Sequence, residues 1–169
     1  FAIVWDGELH GYLGSGRSPA AATIDAVQDA LGDTPLLIGP HSVTVPGAVA
    51  GWFDLLDRWG TRSFGELAAD AIRYARDGFV LSPMGAEACR QYRAAYRGLE
   101  EWQTVYGGRR VGDRLVQPGA AKLLELLGKE GPGAYYRGPV AESIPQTLQQ
   151  LGGFLKASVF PYQGLRKPL

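Results

Sequence analysis

From Phe1 to Leu13 apolar and polar residues alternate loosely, with Asp6-Gly7 in the middle of the run. Asp-Gly between two apolar stretches signals a hairpin, because both central residues of a type I′ turn need positive φ. Two strands are therefore predicted over residues 1–13. Gly14-Ser15-Gly16-Arg17-Ser18-Pro19 breaks the alternation, and a short helix is predicted from Pro19 to Leu31. The Gly- and Pro-containing stretch from Gly32 to Pro46 reads as a loop or a short strand.

The period then changes to that of helices. Pro46-Gly47 opens a segment whose stripe is Val49, Trp52, Phe53, Leu55, Leu56 and Trp59, and Gly60 stops it. Ser63-Phe64-Gly65-Glu66 has the form of a capping box ahead of a stripe of Leu67, Ala68, Ala71, Ile72 and Ala75, with Gly78 as its stop. Ser82-Pro83 places an N-cap and a first-turn proline at the head of a third helix. Gln117-Pro118 starts a fourth, with Leu123, Leu124, Leu126 and Leu127 as its buried face and Gly131-Pro132-Gly133 as its end. A fifth covers Val140 to Leu151, with Pro145 expected to kink or divide it, and Gly152-Gly153 follows as a break. The pattern is thus α+β: a short β portion over 1–13, then a mainly helical region over 19–155. Two strands cannot cover both their faces in water, so the front of the chain is expected to need partners, and to expose an apolar sheet face without them.

Composition narrows the function little. The 169 residues are 46% hydrophobic and 20% charged, ordinary for a folded protein. Seventeen basic and 17 acidic residues cancel, which removes the electrostatic reason to expect nucleic acid or an anionic membrane as a partner. Cys89 is the single cysteine, so no internal disulfide can form. No apolar run reaches transmembrane length. Phe1-Ala2-Ile3-Val4-Trp5 reads as a strand already under way, as if at a cut end, so a periplasmic or secreted location and a cytoplasmic one both stay open.

Candidate chemistry is sparse. A nucleophilic triad needs a base beside its nucleophile, and only His10 and His41 are available, neither with a recognisable third group. Both read as structural histidines, and Cys89, between Ala88 and Arg90, as a structural thiol. His, Cys and carboxylates do not cluster at metal-ligand spacing, and no metal or cofactor is expected. Gly14-Ser15-Gly16 has the small residues of a phosphate cradle without the wider pattern around it. Glu100-Glu101 and the pair Asp54/Asp57 read as solvated helix faces, Arg109-Arg110 as a solvated turn, and the Trp and Tyr residues as packing. Arg17 stands apart. A planar guanidinium on a Gly-rich bend can grip a carboxylate through two parallel hydrogen bonds; a solvated or structural arginine is the competing reading.

Four stretches, in order, resemble the γ-glutamyltranspeptidase family of N-terminal-nucleophile hydrolases. They are Gly16-Arg17-Ser18-Pro19-Ala20-Ala21-Ala22, the run from Ser42 to Gly51, the run from Ala71 to Phe79, and Gly131-Pro132-Gly133-Ala134-Tyr135-Tyr136-Arg137-Gly138. The trailing Gly152-Gly153-Phe154-Leu155 agrees, and the resemblance covers essentially the whole chain.

That resemblance implies a four-layer αββα sandwich, to which this chain would give mostly helical layer and a short β portion. It implies a precursor that cuts itself into a large and a small subunit, the small one beginning with the nucleophilic threonine. No threonine here has that context, so the chain is read as part of the large subunit, with no catalytic residue of its own and the small subunit as partner. By the same resemblance Arg17 matches the arginine that holds the α-carboxylate of a γ-glutamyl substrate. Glutathione-type members show Arg-Glu, a small residue, then Ala-Pro. This chain reads Arg17-Ser18-Pro19-Ala20, so the resemblance does not carry glutathione over as the substrate. Val159 stands where an acidic residue opening a turn is expected. The alternatives are an acylase or amidohydrolase of the same superfamily, and a non-catalytic module that kept the fold.

Overall fold

The computed structural model describes residues 1–34 and 38–156; Val159 lies outside them. It divides into two compact units, one of residues 1–63 together with the segment from 130 onward, the other of residues 64–129.

In the first unit, β1 (Ala2–Trp5) pairs antiparallel with β2 (Leu9–Tyr12) in the register Ala2↔Tyr12 to Trp5↔Leu9. That register leaves Asp6, Gly7 and Glu8 as a three-residue connection, not the two-residue turn that Asp-Gly predicts. Gly7 alone takes positive φ, at 112°, while the Asp6 carboxylate turns inward to accept hydrogen bonds from side chains. His10 and Tyr12 share one hairpin face and reach toward α2 (Ala48–Trp59). On the other face Ile3, Trp5 and Leu9 are 79%, 72% and 71% exposed, the uncovered apolar surface that a two-stranded ribbon implies.

Helix α1 spans Ile24–Leu31, five residues later than its predicted start at Pro19. Thr23 decides the boundary. Its backbone is extended and its hydroxyl accepts from the Ala26 amide at 3.2 Å, while Pro19–Ala22 closes a separate turn. A single 3₁₀ turn covers Pro40–Ser42. Near the chain's other end come α7 (Gly133–Tyr136) and α8 (Pro139–Gln150). Pro145 neither divides nor ends α8; its ring is among the most deeply buried groups, and that burial offsets the one ladder hydrogen bond it cannot make. Leu155 is fully buried behind the Gly152-Gly153 break.

The second unit holds α3 (Phe64–Asp77), β3 (Phe79–Val80), α4 (Pro83–Tyr92), α5 (Glu100–Tyr106), β4 (Arg114–Leu115) and α6 (Pro118–Glu130, whose last residue already counts with the first unit). Gly78, at φ 82°, turns the chain out of α3 into β3, which pairs antiparallel with β4. Ser82 caps α4 through its hydroxyl, 3.1 Å from the Gly85 amide, as its Ser-Pro signature predicts. Helices α3 and α6 meet at Gly65 and Gly128, where a Cβ on Gly128 would lie 3.2 Å from the Gly65 Cα. Of the four leucines predicted to face inward on α6, Leu127 is 1% exposed and the others are half-buried; Ala121, at 2%, completes the core face. The periodicity of the sequence did not single out α5 and α7, each too short for a stripe to develop.

Candidate functional site

The best-organised polar region lies where the bend after the hairpin meets the segment leading into α2. The Val45 amide donates to the Arg17 carbonyl at 2.9 Å, and the Thr44 hydroxyl donates to the Ser15 carbonyl at 3.1 Å. Two glycines make this approach possible. Gly16 sits at φ 77°, and a Cβ there would fall 1.8 Å from the Val45 carbonyl oxygen. A Cβ on Gly47 would fall 2.3 Å from the Gly14 carbonyl oxygen. The small residues of Gly14-Ser15-Gly16 therefore serve close backbone packing against residues 44–47, not a phosphate cradle.

A tyrosine locks the far side of that segment. The Tyr136 hydroxyl donates to the Pro46 carbonyl at 2.8 Å and accepts from the Ala50 amide at 3.0 Å. Ala50 is in the first turn of α2, where backbone amides lack helical partners, and the helix has no side-chain cap from Gly47. One buried phenol hydroxyl thus holds both the entering loop and the start of the helix. Behind the bend, Tyr12 donates to Asp54 at 2.8 Å, and its ring lies against Gly51.

On this scaffold the Arg17 side chain is exposed, and among the described residues its guanidinium makes no hydrogen bond or ion pair. Such a cation on a fixed backbone can receive an anion without first releasing another partner.

The remaining sequence candidates are absorbed by structure. His10 lies 2.8 Å from an Asp6 carboxylate oxygen through Nε2 and 3.3 Å from the Arg58 guanidinium through Nδ1, so its Nε2 donates and its Nδ1 accepts. Trp59 donates its indole N–H to the other Asp6 oxygen at 2.7 Å. The Trp59 bond first, and then the His10 bond, hold the Asp6 carboxyl below its ordinary range. His41 packs edge-on against Phe154, with ring centroids 5.1 Å apart. Asp54 takes the Tyr12 hydroxyl, which separates its role from that of Asp57.

In the second unit, Glu100 and Glu101 occupy the first turn of α5, and Arg109 donates to the Val105 carbonyl at 2.7 Å near its end. Cys89 is half-buried beside an apolar cleft of about 510 Å³ whose walls include Tyr92, Tyr96, Trp102 and Tyr106. Among the described residues no group of His, Cys and carboxylates could hold a metal, and no helix is long and apolar enough to cross a membrane.

The comparisons with known proteins point to one family. The family described as gamma-glutamyltranspeptidase matches residues 1–160. The chain belongs to the γ-glutamyltranspeptidase family. It is 31% identical over 159 residues to the glutathione hydrolase proenzyme of Escherichia coli, covering 89% of this chain and 27% of that protein. Its fold matches the gamma-glutamyltranspeptidase from Pseudomonas nitroreducens complexed with L-DON at a TM-score of 0.85 and 26% identity, over 96% of this chain and 50% of that one. It also matches the cephalosporin acylase from Bacillus halodurans at a TM-score of 0.82 and 28% identity, over 99% of this chain and 33% of that one. The chain thus spans just over a quarter of the length of the curated relative and is an α+β part of a family of γ-glutamyl and acyl hydrolases.

Three of the four family stretches converge on one place: the bend at Gly16-Arg17, the run from Ser42 to Gly51, and Tyr136. Sequence reading marked Arg17 but missed Tyr136, treating it as packing. Nothing in periodicity separates a tyrosine that stacks from one whose hydroxyl holds backbone 90 residues away.

Proposed function

We propose that this chain is part of the large subunit of an enzyme that hydrolyses or transfers γ-glutamyl or related acyl groups, with Arg17 as the clamp for the substrate's carboxylate. The observation that carries this reading is the exposed Arg17 guanidinium, without a hydrogen bond or ion pair among the described residues, on a backbone pinned by Val45 and by the glycine contact at Gly16. Guanidinium and carboxylate match as two parallel charge-assisted hydrogen bonds, which fix the orientation of a glutamyl group as well as its affinity. The nucleophile in this reading is the N-terminal threonine of the small subunit, released from the same precursor. Its hydroxyl attacks the γ-amide carbonyl, its own amine takes the hydroxyl proton and passes it to the leaving amine, and an ester links substrate to enzyme. Water or an acceptor amine then attacks that ester and frees the threonine.

A second reading, an acylase acting on a different acyl group, draws support from the likeness to the cephalosporin acylase and from Ser18-Pro19 following Arg17.

The test is hydrolysis of a γ-glutamyl anilide by the whole self-processed protein, with and without Arg17→Ala. Losing one charge-assisted clamp is expected to reduce kcat/KM by about a hundredfold, mainly through KM. A processed protein that is inert on the anilide but active on other acyl amides would favour the acylase. A protein inert on every amide tried would leave a non-catalytic module.

A further inference from the structure

Arg17 is exposed, and its own side chain has nothing to hold it among the described residues; what is fixed is its backbone. That backbone rests on residues 44–47, through the bonds from Val45 and Thr44 and through the glycine contacts at Gly16 and Gly47. Those residues are in turn held by the Tyr136 hydroxyl, which donates to Pro46 and accepts from Ala50. Pro46 has no amide of its own to donate, so its carbonyl is the polar group through which this point of the segment can be tied. Tyr136 is 8% exposed and Ala50 9%, so water is poorly placed to replace the hydroxyl at the Ala50 amide, and Pro46 is half-buried.

We infer that Tyr136 is a positioning residue for Arg17: its hydroxyl fixes the 44–50 segment, and that segment sets where the guanidinium meets the substrate carboxylate. This rests on the carboxylate-clamp reading of Arg17 and adds the residue that makes the clamp rigid. Removing the hydroxyl takes this partner from the buried Ala50 amide and the half-buried Pro46 carbonyl, and residues 44–47 can then shift against Gly16.

Loss of stability alone would not distinguish positioning from packing. The discriminating readout is carboxylate selectivity in the whole self-processed protein, taken as the ratio of kcat/KM for a γ-glutamyl anilide to kcat/KM for its α-carboxamide analogue. Tyr136→Phe is expected to lower that ratio about fivefold to tenfold, the equivalent of one hydrogen-bonded tie. Arg17→Ala lowers it further, and the double variant Arg17→Ala/Tyr136→Phe falls no lower than Arg17→Ala, because the two residues act as one unit. Leu127→Ala, a core truncation in the other unit, serves as the stability control and keeps the wild-type ratio.

Full selectivity in Tyr136→Phe beside collapsed selectivity in Arg17→Ala would overturn the inference and leave the clamp standing. Unchanged selectivity in Arg17→Ala would overturn the clamp, and the positioning role with it. A ratio that falls equally in Leu127→Ala would show that it merely follows stability, and would also sink the inference. If Tyr136→Phe does not process, Thr44→Val cuts the same segment's tie to Ser15 and carries the same expected loss; full selectivity there overturns the inference.

Discussion

The unit that begins at residue 1 and the unit of residues 64–129 lean on their stabilising contacts in different proportions. In the first, side chains tie backbone far away in sequence: Thr44 to Ser15, Tyr136 to Pro46 and Ala50, with Trp59 and His10 gathered on Asp6. Glycines at 14, 16 and 47 let main chain touch main chain. In the second, Arg114 also reaches distant backbone, at the Gly78 carbonyl, but the ion pairs Asp70–Arg73 and Glu87–Arg90 stay within one helical turn, with Arg76–Glu125 joining two helices. Half-buried rings wall its cleft, with Tyr96 stacked on Trp102 at 5.3 Å and Trp102 beside Tyr106 at 5.5 Å. Ring packing fills volume and tolerates small shifts. Hydrogen-bonded backbone tolerates few, and the candidate site is on the side that tolerates few.

Two glycine substitutions test that contrast most sharply. Gly16→Ala forces a Cβ into the Val45 carbonyl at a positive φ, so about 3 kcal/mol or more of stability should be lost, with activity lost as well. Gly119→Ala, in the first turn of α6, meets nothing within 4 Å and should be neutral or stabilising by up to about 1 kcal/mol. Thermal unfolding of the two variants compares them directly. A Gly16→Ala protein as stable as wild type would mean that the bend does not depend on its close approach to residue 45.

Next in size is Leu127→Ala. Truncating a side chain that is 1% exposed should cost about 2–5 kcal/mol, depending on how far its neighbours collapse into the space. Urea unfolding measures it. A loss well under 1 kcal/mol would show that this core is looser than its burial suggests.

Much of this layout was legible in the sequence because each boundary is set by local chemistry. Ser82-Pro83 announces its helix, Gly60 and Gly78 stop theirs, and Asp6-Gly7 marks the hairpin. Errors arose where a second local signal competed or where the outcome was tertiary. Thr23 took the cap that Pro19 was expected to open, and burial of Pro145 kept α8 whole. The site was half legible. Arg17 could be marked as a candidate because a guanidinium on a Gly-rich bend can grip a carboxylate and because the surrounding run resembles a family. The groups that fix its backbone could not, since their ties join positions 15 to 44, 17 to 45 and 46 to 136, and no local pattern encodes such pairs.

The smallest expected effects come from the carboxylates, and they sharpen the same contrast. Asp6 is held below its ordinary pKa by the bonds from Trp59 and His10, and Glu87 by those from Arg90 and Gln91. A carboxyl whose folded pKa is depressed stabilises the fold above its unfolded value and loses that contribution as pH falls through the folded one. For both residues the loss therefore lies below about pH 4. Asp6 joins the hairpin loop to the end of α2, whereas Glu87 grips a residue three positions along its own helix. Breaking the first frees two elements; breaking the second leaves a helix that its backbone still holds. Asp6→Asn should therefore lower Tm at pH 6 and flatten the acid limb below pH 4, and Glu87→Gln should do the same by a smaller margin. Equal shifts from the two variants would mean that Asp6 acts only within its own turn, and that the Tyr12–Asp54 and His10–Arg58 bonds suffice to hold the hairpin to α2.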